Sequence, residues 1–122
     1  MQRFFAKKLC DGNTIKHNQM MTVDDGKIHS IESAQFPGDA IQLSGLVAPG
    51  LIDVQVNGGG GVLFNNQPNL DTLITMSRAH QQYGSTAIMP TLITDDLVTM
   101  QLAADAVASA IAQNVKGIIG IH

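Results

Sequence analysis

Three polar side chains, Asp53, Gln55 and Asn57, alternate with Ile52, Val54 and Val56, and the run ends in four glycines, Gly58 to Gly61. Strand side chains point to opposite faces with period two, so this spacing predicts one apolar face and one face with a carboxylate and two amides. A buried amide or carboxylate without partners costs about 1–3 kcal/mol, so three on one face mark a candidate site. Neutral amides offer hydrogen bonds to a bound molecule or to a metal-bound water. Direct ligation is disfavoured, because an amide oxygen is a poor ligand for an ion that prefers imidazole, thiolate or carboxylate. Two plainer readings stand beside this one. Gln55 and Asn57 also fit a satisfied polar pair in a core, and Asp53 fits a carboxylate tying strand ends through backbone N–H groups.

The remaining groups able to do chemistry are few. The glycine run has neither G-x-G-x-x-G spacing nor a Walker lysine, so a permissive loop is favoured over an anion cradle. His122 closes the apolar run Gly117 to Ile121, and it reads either as a site residue at a strand end or as a frayed terminal group. His80 lies between Ala79 and Gln81 in a helical pattern and reads as a solvated surface group. His17 and His29 have no metal-ligand spacing to each other, and Cys10 reads as a small buried hydrophobe.

The elements that must position these groups change character near residue 45. Residues 1–45 carry short β-like runs separated by Asp11-Gly12 and Asp25-Gly26, and Asp-Gly between apolar runs signals a hairpin because Gly accepts positive φ. This part reads as a small β-sandwich-like unit. Residues 46–122 alternate strand, helix, strand, helix, strand, the order of parallel strands with crossover helices. One helix is predicted from about Leu70 to Tyr83, with Asn69 as N-cap, Gly84 as stop, and Leu70, Leu73, Ile74 and Ser77 on its inner stripe. A second is predicted after Thr94, with Asp95 and Asp96 in its first turn, Val98, Leu102, Ala106 and Ser109 on its stripe, and Met100, Ala103, Ala104, Val107, Ala108 and Ile111 widening it, the alanines suiting close packing on a sheet. Thr86 to Leu92 and Gly117 to Ile121 read as strands buried on both faces.

Composition narrows the partners. With 44% apolar and 14% charged residues the chain is too hydrophobic for disorder, and a net charge of -3 gives no basic footprint for nucleic acid. A single cysteine permits no internal disulfide and suits a reducing, cytoplasmic setting. No apolar stretch approaches the roughly 18 residues of a membrane span, and the first residues lack the pattern of a signal peptide.

Pro49-Gly50-Leu51-Ile52-Asp53-Val54, followed by a polar-x-polar pair and Gly58, resembles the first barrel strand of the amidohydrolase superfamily, where the pair is usually His-x-His. Gln55-Val56-Asn57 in its place, followed by the glycines and Val62-Leu63-Phe64-Asn65, resembles the single-metal branch of N-acetylglucosamine-6-phosphate deacetylases. Gly84-Ser85-Thr86 to Thr94 is similar to that family's second strand. Gly117 to His122 is similar to the approach to its His-x-Glu-Gly-Pro motif.

The resemblance implies a metal-dependent hydrolase that cleaves the acetamide of N-acetylglucosamine 6-phosphate to acetate and glucosamine 6-phosphate. It implies a (β/α)8 barrel whose strands 1–3 and helices 1–2 occupy residues 46–122, and β-unit partner strands outside this chain. Barrel chemistry sits at the carboxyl ends of the strands, where Gln55, Asn57 and His122 fall as active-site lining. The resemblance implies one zinc per subunit of the whole enzyme, held by Glu and His ligands beyond His122. No catalytic or metal-ligating residue is therefore expected in this chain, which alone is expected to be inactive. A homo-oligomer is expected. The alternatives are a non-catalytic, self-associating partial barrel, or a dihydroorotase-like enzyme, which would be expected to keep His at positions 55 and 57.

Overall fold

The computed structural model describes all residues from Met1 to His122, and they form two compact units, Met1–Pro49 and Gly50–His122. In the first unit β1 (Gln2–Cys10), β2 (Ile15–Asp24), β3 (Lys27–Ser33) and β4 (Ile41–Val47) lie in the order β3-β2-β1-β4. Both hairpins are antiparallel, and β4 joins β1 in parallel through the connection 34–40. This is one four-stranded sheet rather than two facing layers, and it ends two residues beyond the expected boundary at residue 45. Asp25 and Gly26, at φ of 47° and 71°, form the two-residue turn expected between β2 and β3. Phe5, Ala6, Leu9 and Met20 are buried on the sheet. The buried Gln19 amide is satisfied by donating to the His17 carbonyl and Ser33 Oγ.

The second unit is mixed α/β. Its elements are β5 (Leu51–Val56), β6 (Gly58–Gly59), β7 (Val62–Leu63), α1 (Leu70–Gln81), β8 (Ser85–Pro90) and α2 (Leu97–Ala112). β5 and β8 pair in parallel, as their separation by a crossover helix requires. Both helix starts are capped: Asn69 Oδ1 accepts the Thr72 N–H, and Asp96 Oδ1 accepts the Thr99 N–H at 2.7 Å. The core gathers Val56, Phe64, Leu73, Met76, Ile88 and the α2 residues Ala103, Ala106, Val107 and Ala110.

Several expectations are corrected. Gly117 to Ile121 is not a strand, and only one isolated bridge, Ile88 to Ile118, joins it to β8. Pro90 has no N–H to continue the ladder, and the next bonds, His122 N–H to Pro90 and Leu92 N–H to His122, are out of step with that bridge. β8 is not covered on both faces: Ile88 and Pro90 are buried, Ala87 and Met89 half-buried and Thr86 exposed. Of the broad stripe expected on α2, Ala103, Ala106 and Val107 are buried, joined by Ala110. Val98 and Leu102 are exposed, and the buried alanines, whose short side chains permit close approach, join the core of this unit. On α1, Met76 with Leu73 is fully buried while Leu70 and Ile74 are only half-buried. Asp96 is a cap rather than a first-turn residue.

Candidate active site

The strand-end groups converge on the carboxyl ends of β5 and β8. After Asp53 the β5–β8 register is irregular, and the Thr91 hydroxyl fills the gap by accepting the buried Val56 N–H at 3.0 Å. The return bond is ordinary backbone, from Thr91 N–H to the Val56 carbonyl at 2.8 Å. Asn57 Nδ2 donates to the Thr91 carbonyl at 3.3 Å, which leaves Asn57 Oδ1 without a protein partner. Gln55 is exposed, and its side-chain amide makes no hydrogen bond within the protein. Asp53 accepts the Gln55 N–H at 3.1 Å, so its tie is local rather than across the strands. His122 is exposed but anchored: Nδ1 lies 3.1 Å from the Val54 carbonyl. A carbonyl only accepts, so Nδ1 carries the proton and, in the neutral ring, the Nε2 lone pair faces away from that bond.

The glycine run is a tight hairpin, not a slack loop. β6 and β7 pair across Gly60 and Gly61, at φ of 64° and 86°, and the Phe64 N–H returns to the Asn57 carbonyl at 2.8 Å. A Cβ at Gly58 would strike the Val62 carbonyl, and one at Gly59 would lie 2.7 Å from His80 Nε2. Here the reading of His80 as a solvated group is overturned. Its Nε2 meets the Gly58 carbonyl at 2.9 Å, so the ring is half-buried and clamps the hairpin to α1. The sequence holds no local sign of this pairing, since His80 and Gly58 lie 22 positions apart.

Asn65 is the residue that sequence reasoning passed over. Its Oδ1 accepts the Ile93 N–H at 2.9 Å, and its Nδ2 donates to the Ile93 carbonyl at 2.8 Å and to Asp95 Oδ2 at 3.0 Å. The Asn65 donor, with the Asp96 N–H behind it, holds the Asp95 carboxyl below its ordinary range.

No protein-family profile matches the chain. It is 50% identical over 123 aligned residues, 96% of its length, to an N-acetylgalactosamine-6-phosphate deacetylase of Shewanella, of which it covers 31%. The chain is similar to one part of an amino-sugar 6-phosphate deacetylase. It is 34% identical to the N-acetylglucosamine-6-phosphate deacetylase of Vibrio furnissii, over 93% of this chain and 29% of that protein. The fold agrees. The solved N-acetylglucosamine-6-phosphate deacetylase of Pasteurella multocida superposes with a TM-score of 0.80 at 25% identity, over 92% of this chain and 31% of the other. That of Mycobacterium smegmatis gives 0.80 at 20% identity, over 98% and 35%, and speaks for the fold alone. The chain thus spans about a third of the length of these similar proteins.

The residues present do not by themselves fit a metal ion. No three His, Cys, Asp or Glu side chains gather anywhere, and at the strand ends His122 is a lone imidazole beside two amides. Amide oxygens do not make up the deficit for a borderline-soft ion.

Proposed function

We propose that the whole protein to which this chain corresponds hydrolyses the acetamide of an N-acetylhexosamine 6-phosphate, releasing acetate and the free amino sugar phosphate. The observation that carries the reading is 50% identity across 96% of the chain with a deacetylase of this class. The parallel β5–β8 pair with α1 and α2 is, on this reading, the opening of a (β/α)8 barrel, and its carboxyl ends face the substrate. One zinc per subunit belongs to the same proposal. Its ligands would come from the two thirds of the family's length that this chain does not span, and bound there it would polarise the amide carbonyl. The role left to this chain is to bind and orient. Gln55 and the free Asn57 Oδ1 are placed to hydrogen-bond substrate or an ordered water, and Thr91 holds the backbone beneath them. His122, with Nδ1 committed to Val54, offers an acceptor at Nε2. Location in the cytoplasm and assembly into a homo-oligomer complete the proposal; no helix of the chain is long and apolar enough to cross a membrane.

The sugar epimer is the finer question. The 50% relative is named for the galactosamine substrate and the relatives at 33–34% for glucosamine, which favours the galacto configuration for this protein. Acetate release by the whole protein from each 6-phosphate tests both levels. The proposal expects turnover, with the galacto sugar preferred. Absence of acetate from either would refute it.

A further inference from the structure

We infer that Asn65 is a positioning residue for substrate binding: it locks the segment after β8 to the glycine hairpin and so fixes where Asn57 points. The inference rests on the proposed deacetylase reading, but its observations are separate from that reading. The hairpin leaves the strand end at Asn57 and returns to it through the Phe64 N–H, so Asn57 and Asn65 bracket one closed loop. The inner end is set by the Asn57 bond to Thr91, at 3.3 Å the weaker of the two ties. The outer end is set by Asn65, whose amide pairs with both the N–H and the carbonyl of Ile93, two residues beyond Thr91, and reaches Asp95 as well. An uncharged amide accepts through its oxygen and donates twice through its nitrogen, which matches these three partners. Phe64, fully buried in the core of this unit, anchors the loop beside Asn65. With Asn65 in place, Thr91 and Ile93 are held against the hairpin at two points. Without it the two Val56–Thr91 bonds and the longer Asn57 bond hold only the inner end, Ile93 is released from the hairpin, and Asn57 Oδ1 is held less firmly in direction.

Asn65→Asp tests this at nearly constant shape. It keeps the acceptor for the Ile93 N–H but sets a carboxylate against the Ile93 carbonyl and the Asp95 carboxylate. In the whole enzyme KM for the sugar phosphate is expected to rise about ten-fold, with kcat within about two-fold. A merely destabilised enzyme behaves otherwise, losing active fraction and hence apparent kcat at unchanged KM. The exchanged pair Asn65→Asp with Asp95→Asn returns one donor between the two side chains, and KM is expected to recover to within about three-fold of the parent. In parallel, amide hydrogen exchange on the whole protein reads the lock without activity: Ile93 and Phe64 should exchange faster in the single variant and slow again in the exchanged pair. Unchanged KM in an active enzyme overturns the inference alone, whereas an inactive parent enzyme overturns the deacetylase reading. In that second case unchanged exchange at Ile93 and Phe64 overturns the inference too.

Discussion

At the scale of single residues, the strand ends depend on side chains that stand in for backbone. The Val56 N–H is buried, and its acceptor is a hydroxyl 35 positions away, on Thr91, which also donates to the Met89 carbonyl. Thr91→Val keeps the shape and leaves that N–H unsatisfied, at a cost of about 1–3 kcal/mol. Thr91→Ser keeps the hydroxyl and should lose far less. Denaturant midpoints of the two variants decide the matter, and equal loss in both would show that packing rather than the hydrogen bond is at work. Ser77 is a comparable case on α1, where its buried hydroxyl donates to the Lys116 carbonyl at 2.6 Å. Such hydroxyls, accepting at Thr91 and donating at Ser77, answer a backbone group that no strand or helix partner reaches.

The elements themselves follow from local chemistry, and there the sequence was most informative. Asn69 announces α1, and Asp25-Gly26 a tight hairpin, because each signal and its partner lie within four residues. The turn between β1 and β2 is of this kind. Asp11 accepts the N–H groups of Thr14 and Asn13 and faces Lys16 Nζ at 2.9 Å. The Thr14 N–H chiefly, then Lys16 and Asn13, hold its carboxyl well below the ordinary range. A depressed folded pKa stabilises above the unfolded value, near about 4, and the contribution disappears as pH falls from there toward the folded one. Asp11→Ala should therefore be less stable than the parent at neutral pH, with the difference narrowing below about pH 4. Unfolding curves that stay equally far apart down to pH 2.5 would contradict this. What could not be read from sequence depends on distance along the chain. His80 meets Gly58, Asn65 meets Ile93, and Pro90 breaks a ladder toward a segment that periodicity alone makes a strand. Val98 and Leu102 on the stripe of α2 were misread for a related reason. Apolar residues lie on nearly all of its sides, so only the packing selects the alanine face.

At the scale of the whole molecule, the second unit leaves apolar surface unpaired. β5 is bonded to β8 on one side only, and Leu51, Ile52 and Val54 are 62%, 65% and 56% exposed. An open strand edge beside exposed aliphatic side chains invites pairing with another chain. The 122-residue chain is expected to sediment as an oligomer or to unfold without cooperativity. A dilute monomer with a sharp unfolding transition would contradict this, and would favour the view of the chain as a complete module. The polar face of β5 is intelligible in the same frame. Gln55 and Asn57 keep unpaired groups at a strand end that the family reading assigns to substrate, and the chain supplies no metal cluster of its own. The proposed division of labour, binding groups on this chain and metal ligands elsewhere in the whole protein, is addressed by one assay. Acetate released from N-acetylgalactosamine 6-phosphate and N-acetylglucosamine 6-phosphate should be measured with zinc present, for the whole protein and for the 122-residue chain side by side. The account predicts turnover by the whole protein and none by the chain; turnover by the chain alone, or none by the whole protein on either sugar, would contradict it.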